Sequence, residues 1–199
     1  YGVHINGTTT RDGVPHMWIA RRAASKSVEP GKLDQVAAGG IPYGIGVFEN
    51  LIKESDEEAA IPAALARTAK PVGIISYTAQ TENGIRADTL YNYDLELPPD
   101  FRPHNRDGEV GAFHCLPLDE VARLVRDSDE FKQNSAVVVI DYLIRHGYLP
   151  MSASDSRISL NKGYTPRGFA KKVFHIHLRL PQDKDELYFR DYLREHPDI

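Results

Sequence analysis

The chain has almost no cysteine: Cys115 stands alone among 199 residues, so no internal disulfide can form and a reducing compartment is expected. It also lacks a surplus of either charge. Lysine and arginine total 24 against 28 aspartate and glutamate, a net charge of −4, which excludes the general basic field that attracts nucleic acid. Nowhere does an apolar run approach the ~20 residues of a membrane span. No charged-then-apolar signal opens the chain either, so a cytoplasmic protein with no membrane partner is expected. Tyr1 opens within an apparent strand, as in a piece of a longer chain. The length suits one domain with a real core plus a remnant of another, since two full domains would be crowded.

What is present concentrates between Gly39 and Pro62, GGIPYGIGVFENLIKESDEEAAIP. A glycine-rich turn leads into a short helix that a proline closes. Val47, Phe48, Leu51, Ile52, Ser55 and Ala59 recur at the helical period and form its buried side. At about 100° per residue, Glu54, Glu57 and Glu58 gather on a different face as i, i+3 and i+4 neighbours. Such crowding is tolerated if the face is solvated, or if a hard cation neutralises it. Clustered carboxylate oxygens suit Mg²⁺, with Mn²⁺ as the second choice, and diphosphate chemistry is a natural use. The Gly39-Gly40 turn would let backbone approach a ligand at the helix entrance. Ahead of the turn, Arg21, Arg22 and Lys26 form a basic trio. Arg22 and Lys26 are the favoured phosphate contacts, because arginine grips phosphate bidentately and lysine acts as a point charge.

Around this centre the pattern predicts strands at Tyr1–Asn6 and His16–Arg21, separated by the turn-rich GTTTRDGVP. A single strand over Leu33–Gly40, a helical turn after Pro62, and strands at Val72–Thr78, Thr89–Leu97 and Glu109–Leu116 follow. Helices are expected over Pro117–Asp127, with early acids and later arginines, and over Asn134–His146, with Gly147 as cap. Trp18, Tyr77, Tyr91 and Tyr93 fit a sheet core as well as a ring-stacking role and are left unassigned.

The Gly39–Ile61 stretch resembles the Nudix box, G-x5-E-x7-R-E-U-x-E-E-x-G-U with U apolar, departing from it at Ile45, Lys53, Ser55 and Ala60. The segments MWIARRAASKSVEPGKLDQVAAGG, FENLIKESDEEA, PVGIISYTAQTENGIRADTLYNYDLELP, DGEVGAFHCLPLDEV and FKQNSAVVVIDYLIRHGYL look like the Nudix domain related to fungal and plant thiamin pyrophosphokinase. The resemblance covers residues 1–150. It implies an α/β Nudix fold: an α/β/α sandwich with a mixed sheet and the box as loop–helix–loop. It also implies an Mg²⁺-dependent hydrolase that converts thiamin diphosphate-like compounds, oxidised or damaged forms especially, to the monophosphate. The family's metal-binding glutamates map onto Glu54, Glu57 and Glu58, with Glu57, Glu58 and Glu109 as catalytic candidates. Arg22 and Lys26 match a run that contacts diphosphate in isopentenyl-diphosphate isomerases, and with Gly39 and Gly40 they would bind substrate. The four departures keep two alternatives open: a non-catalytic diphosphate-binding module, or a pyrophosphatase for another nucleoside or isoprenoid diphosphate.

After Leu149 a serine-rich connector, PMSASDSRIS, places a boundary at residue 150. Residues 157–199 resemble the C-terminal part of the GrpB family, which has a nucleotidyltransferase-like fold. This partial segment, 151–199 with its connector, is expected to add a strand at VFHIHLRL and a helix at DELYFRDYLREH, without the acids that nucleotidyl transfer needs.

Overall fold

The computed structural model describes residues 1–81, 84–149 and 173–179. Their elements run β1 (Gly2–Arg11), β2 (Val14–Arg22), β3 (Leu33–Asp34), β4 (Ala37–Gly40), α1 (Val47–Ala59), α2 (Ala63–Ala66), β5 (Lys70–Thr81), β6 (Gly84–Glu96), β7 (Val110–Pro117), α3 (Leu118–Asp127), α4 (Gln133–Arg145) and β8 (Val173–Arg179). The PMSASDSRIS connector, the boundary at residue 150 and the DELYFRDYLREH helix lie outside the described residues.

Alternation along the strands makes three layers. Met17 and Ile19 enter one core and Trp18 the other; Ile75 and Leu90 pack with Val121, Val125, Val137 and Ile140 of α3 and α4. Ile74, Tyr91, Tyr93, Val3 and Ile5 pack with Val47, Leu51 and Ala59 of α1. A sheet with both faces buried must carry apolar side chains on both, as these strands do. The sheet is mixed: β1 pairs parallel with β6, and the remaining pairings are antiparallel.

β1 and β2 stay paired from Gly7 and Trp18 outward to the Asp12-Gly13 turn, then part. Into the opening goes the chain from Leu33 to Gly40, with β3 on β2 and β4 on β1. This replaces the single strand expected over Leu33–Gly40, because the chain changes partner between Asp34 and Ala37. Gly7 sits where the wedge begins; a Cβ there would lie 2.7 Å from Val36 Cγ1. Two further boundaries move. The threonines expected in a turn extend β1, as β-branched residues do readily in a sheet. The strands expected at Val72–Thr78 and Thr89–Leu97 lengthen toward each other, paired out to Thr81 and Gly84. The expected strand at VFHIHLRL is β8, paired antiparallel with β5.

α1 ends on Ala60, at φ 51°, with the Ala60 and Ile61 N–H groups donating to Asp56 and Ser55 carbonyls. Glycine stands at this place in the box pattern, and the left-handed backbone is the reason. Opposite, the β1 face turned to α4 is polar: His4 Nδ1 lies 2.7 Å from Gln35 Oε1, and Gln35 Nε2 donates to the Ser135 carbonyl at 2.8 Å. Burial, with the Lys132 charge, lowers the His4 pKa from 6.5 to about 4.

Two outcomes follow. Ala60→Gly should raise unfolding free energy by about 1 kcal/mol in urea titration, the left-handed penalty of alanine less part of the glycine chain entropy. Between pH 6.5 and 4 the unfolded chain protonates His4 while the folded chain resists, so this group's contribution to stability is lost as pH falls through that window. Thermal unfolding measured from pH 7 to 4 should therefore show a smaller acid loss in His4→Phe than in the unmodified protein.

Candidate active site

The parting of β1 and β2 carries the end of β4 against the middle of α1. Gly39 touches Glu54 so closely that a Cβ on Gly39 would collide with the carboxyl group, whereas a Cβ on Gly40 would meet open space. The two glycines thus mark a strand end facing the helix centre, not the helix entrance, which lies seven residues further on at Val47. Asn50 ties this contact down by donating to the Gly40 carbonyl at 3.1 Å.

The three glutamates do not share a solvated face. Glu54 and Glu58 are 9% and 6% exposed. Burial raises the Glu54 pKa, and it pushes Glu58 up to about 8 even though the Ala38 N–H donates to Glu58 at 2.7 Å. Lys53, at the arginine position of the box, reaches Glu57 at 2.6 Å and Glu54 at 3.2 Å. Its own pKa is raised, chiefly by the bond to Glu57. Ser55 is fully buried at an apolar position of the box, and its hydroxyl has no partner among the described residues.

Glu54 and Glu57 line a cleft of about 370 Å³, together with Gly39, Gly40, Arg22, Lys26 and Glu109. Seven of the eight residues singled out in the sequence therefore meet there, and Glu58 stands behind them against β4. Lys26 and Glu109 form an ion pair, and the Glu109 N–H is held by Asp107 at 2.8 Å. Arg22 is 8% exposed and mostly engaged: its guanidinium pairs with Asp34 at 2.9 Å and donates to the Val28 and Glu29 carbonyls. It organises the 28–29 loop as well as facing the cleft. Trp18, Tyr77, Tyr91 and Tyr93 are buried in the sheet cores.

The cleft also takes residues that the sequence did not disclose: His4, Arg86, Asp88, Leu90, Lys132 and Asn134. Arg86 and Asp88 fall between the strands expected at Val72–Thr78 and Thr89–Leu97, and the longer hairpin places them in the cleft lining. Lys132 and Asn134 flank the start of α4, the one signal that could have raised them.

Among the described residues, no three His, Cys, Asp or Glu side chains form a ready metal cage. The donors nonetheless fit a hard cation in type, and the Lys53 ammonium already holds positive charge between Glu54 and Glu57.

Gly39→Ala should displace Glu54 and lower the thermal midpoint by several degrees, while Gly40→Ala should leave it nearly unchanged. Parallel thermal melts check the pair.

No protein-family model matches the chain. It is 48% identical over 149 residues to Nudix hydrolase 24, chloroplastic, of Arabidopsis thaliana, covering 75% of this chain and 41% of that protein. To Nudix hydrolase 20, chloroplastic, of the same plant it is 46% identical over 154 residues, covering 77% and 41%. The chain thus spans about two fifths of the length of these relatives. The NUDIX domain of Shewanella oneidensis NrtR, solved with ADP ribose, superposes with a TM-score of 0.57 at 12% identity, covering 74% of this chain and 87% of that one. The structural likeness shows the mixed sheet between helices as the Nudix α/β fold, and the sequence identity goes further: this chain carries a Nudix hydrolase domain, homologous to plant Nudix hydrolases 20 and 24.

Proposed function

We propose that this domain hydrolyses the diphosphate of a small molecule with Mg²⁺, or Mn²⁺ in its place. The observation that carries the reading is that the carboxylates Glu54 and Glu57 and the cations Lys26, Arg86 and Lys132 line one cleft, each of these cations also paired with a carboxylate, Glu109, Asp88 and Asp34 respectively. A diphosphate needs both: cations for its own oxygens, and carboxylates to hold the ion that neutralises them. When bound, the metal supplies charge neutralisation and Lewis acidity at the attacked phosphorus. Glu54 and Glu57 would hold it, with Glu58 behind them accepting from the Ala38 N–H of β4. Glu109 lines the same cleft, paired with Lys26, and can accept the proton of the attacking water once Lys26 turns to phosphate. Arg22 keeps the 28–29 loop in place for that exchange, and Gly40 leaves room for the ligand while Gly39 makes room for the Glu54 carboxyl group.

The substrate we favour is a thiamin diphosphate-like compound, an oxidised or damaged form in particular, cleaved to the monophosphate and phosphate. Its support is the likeness of the segments between Met17 and Leu149 to the thiamin pyrophosphokinase-related Nudix domain. We place the domain at residues 1–150, followed by a GrpB-like segment. The lone Cys115 supports a reducing compartment, in the cytoplasm or within an organelle such as the one named for the Arabidopsis relatives.

One observation favours a second reading. Lys53 satisfies Glu54 and Glu57 from within the chain, as a module that binds diphosphates without cleaving them would allow. Product formation decides between them: monophosphate plus phosphate from thiamin diphosphate and its oxidised analogues, and AMP plus ribose 5-phosphate from ADP-ribose. Hydrolysis should require Mg²⁺ and fall by at least about 100-fold in Glu57→Gln, the loss expected when a metal-holding carboxylate is removed. A folded protein that releases nothing from any of them would leave only the binding module.

A further inference from the structure

We propose that the cleft floor over Gly2 is a subsite for a flat ring bearing an N–H or amino group, with His4 Nε2 as its hydrogen-bond acceptor; this rests on the diphosphate-hydrolase reading. The argument starts from an atom that can only accept. Gln35 Nε2 points at the Ser135 carbonyl oxygen, 2.8 Å away, which fixes the amide orientation and turns Gln35 Oε1 toward His4. Across that 2.7 Å contact only His4 Nδ1 can donate, so Nδ1 carries the ring proton. His4 is 3% exposed and neutral near pH 7, its burial and the Lys132 charge both opposing a second proton. Its Nε2 therefore presents a bare lone pair. That nitrogen has no hydrogen-bond partner among the described residues, and His4 lines the cleft that holds the glutamates.

The space in front of it is defined by a missing side chain. A Cβ on Gly2 would stand 3.9 Å from His4 Nε2, 3.8 Å from Leu90 Cδ2 and 3.3 Å from the Gly39 carbonyl oxygen. A group lying there meets the free His4 Nε2 lone pair, one methyl group and the Gly39 carbonyl oxygen, which already accepts from the Val3 N–H in the β1–β4 ladder, with no donor among these three. A ring edge carrying an N–H or amino group complements such a surface, while a bare carbonyl would face oxygen and a nitrogen lone pair. Gly39 also locates the subsite: its oxygen borders the space over Gly2, and its Cα abuts the Glu54 carboxyl group. The ring position and the proposed metal site are one residue apart.

The test is a ratio of kcat/KM values for matched diphosphates that differ in one amino group. Adenosine diphosphate is set against purine riboside diphosphate, and thiamin diphosphate against the analogue with hydrogen in place of its pyrimidine amine. The unmodified protein should prefer the amino-bearing member of at least one pair by about tenfold, the worth of one good hydrogen bond with an acceptor left unpaired in the analogue. In His4→Phe and in Gly2→Ala the preference should fall to about one. Gly2→Ala leaves the His4–Gln35–Ser135 chain intact, so it serves even if His4→Phe folds poorly. A preference near one in the unmodified protein, or one that survives in Gly2→Ala, overturns the subsite. Failure to hydrolyse any of these four, the oxidised thiamin diphosphates or ADP-ribose overturns the hydrolase reading and the subsite with it.

Discussion

A single buried carboxylate governs where the cleft can form. Asp34 is 5% exposed, yet it accepts from Arg22 of β2, from Lys132 just ahead of α4, from the Ser135 hydroxyl and from the Gln35 N–H. Burial by itself would raise its pKa. Lys132, His4, the Ser135 hydroxyl and Arg22 outweigh that, and the group stays ionised. Removing any one of these partners leaves charge uncompensated in the interior, which is far costlier than never having buried it. This knot holds β2, the inserted chain and the start of α4 in one place. Two cations of the cleft lining, Arg22 and Lys132, are thereby held to the chain that enters the opening between β1 and β2.

The parts of this arrangement that sequence discloses are those with a short-range cause. Helical periodicity gives α1 and α4, alternation gives the central strands, and the i, i+3, i+4 spacing puts the glutamates within reach of one another. Three features have a long-range cause and stay hidden. The break between β3 and β4 depends on a change of partner strand, and a run of eight residues carries no mark of that. The length of the β5–β6 hairpin is set by a ladder through polar residues, so Arg86 and Asp88 read as loop. His4 looks like a weakly alternating strand residue until Gln35 and Ser135, distant in the chain, are brought against it.

Charge in the cleft is balanced in a way that departs from a plain acidic site. Lys53 sits between Glu54 and Glu57, and Lys26 beside Glu109, so these three carboxylates each have a cation of the same chain at hand. These pairs are partly solvated and individually weak. On the proposed mechanism these pairs would open to an incoming metal and phosphate, each carboxylate and each ammonium exchanging one partner of opposite charge for another. Glu58 is different: it is buried, held by the Ala38 N–H, and belongs to the scaffold as much as to the chemistry.

The pairing of β8 with β5 reaches beyond the site. In the order β3-β2-β1-β6-β5-β8, the outer side of β5 from Ile74 to Ala79 would otherwise present a row of open amides and carbonyls. An uncovered row of that length is a template for any extended polypeptide, including a second molecule of the same kind. Residues 173–179 therefore act as a built-in competitor for that edge. Their presence favours a chain that closes on itself over one that recruits its neighbours into a growing sheet.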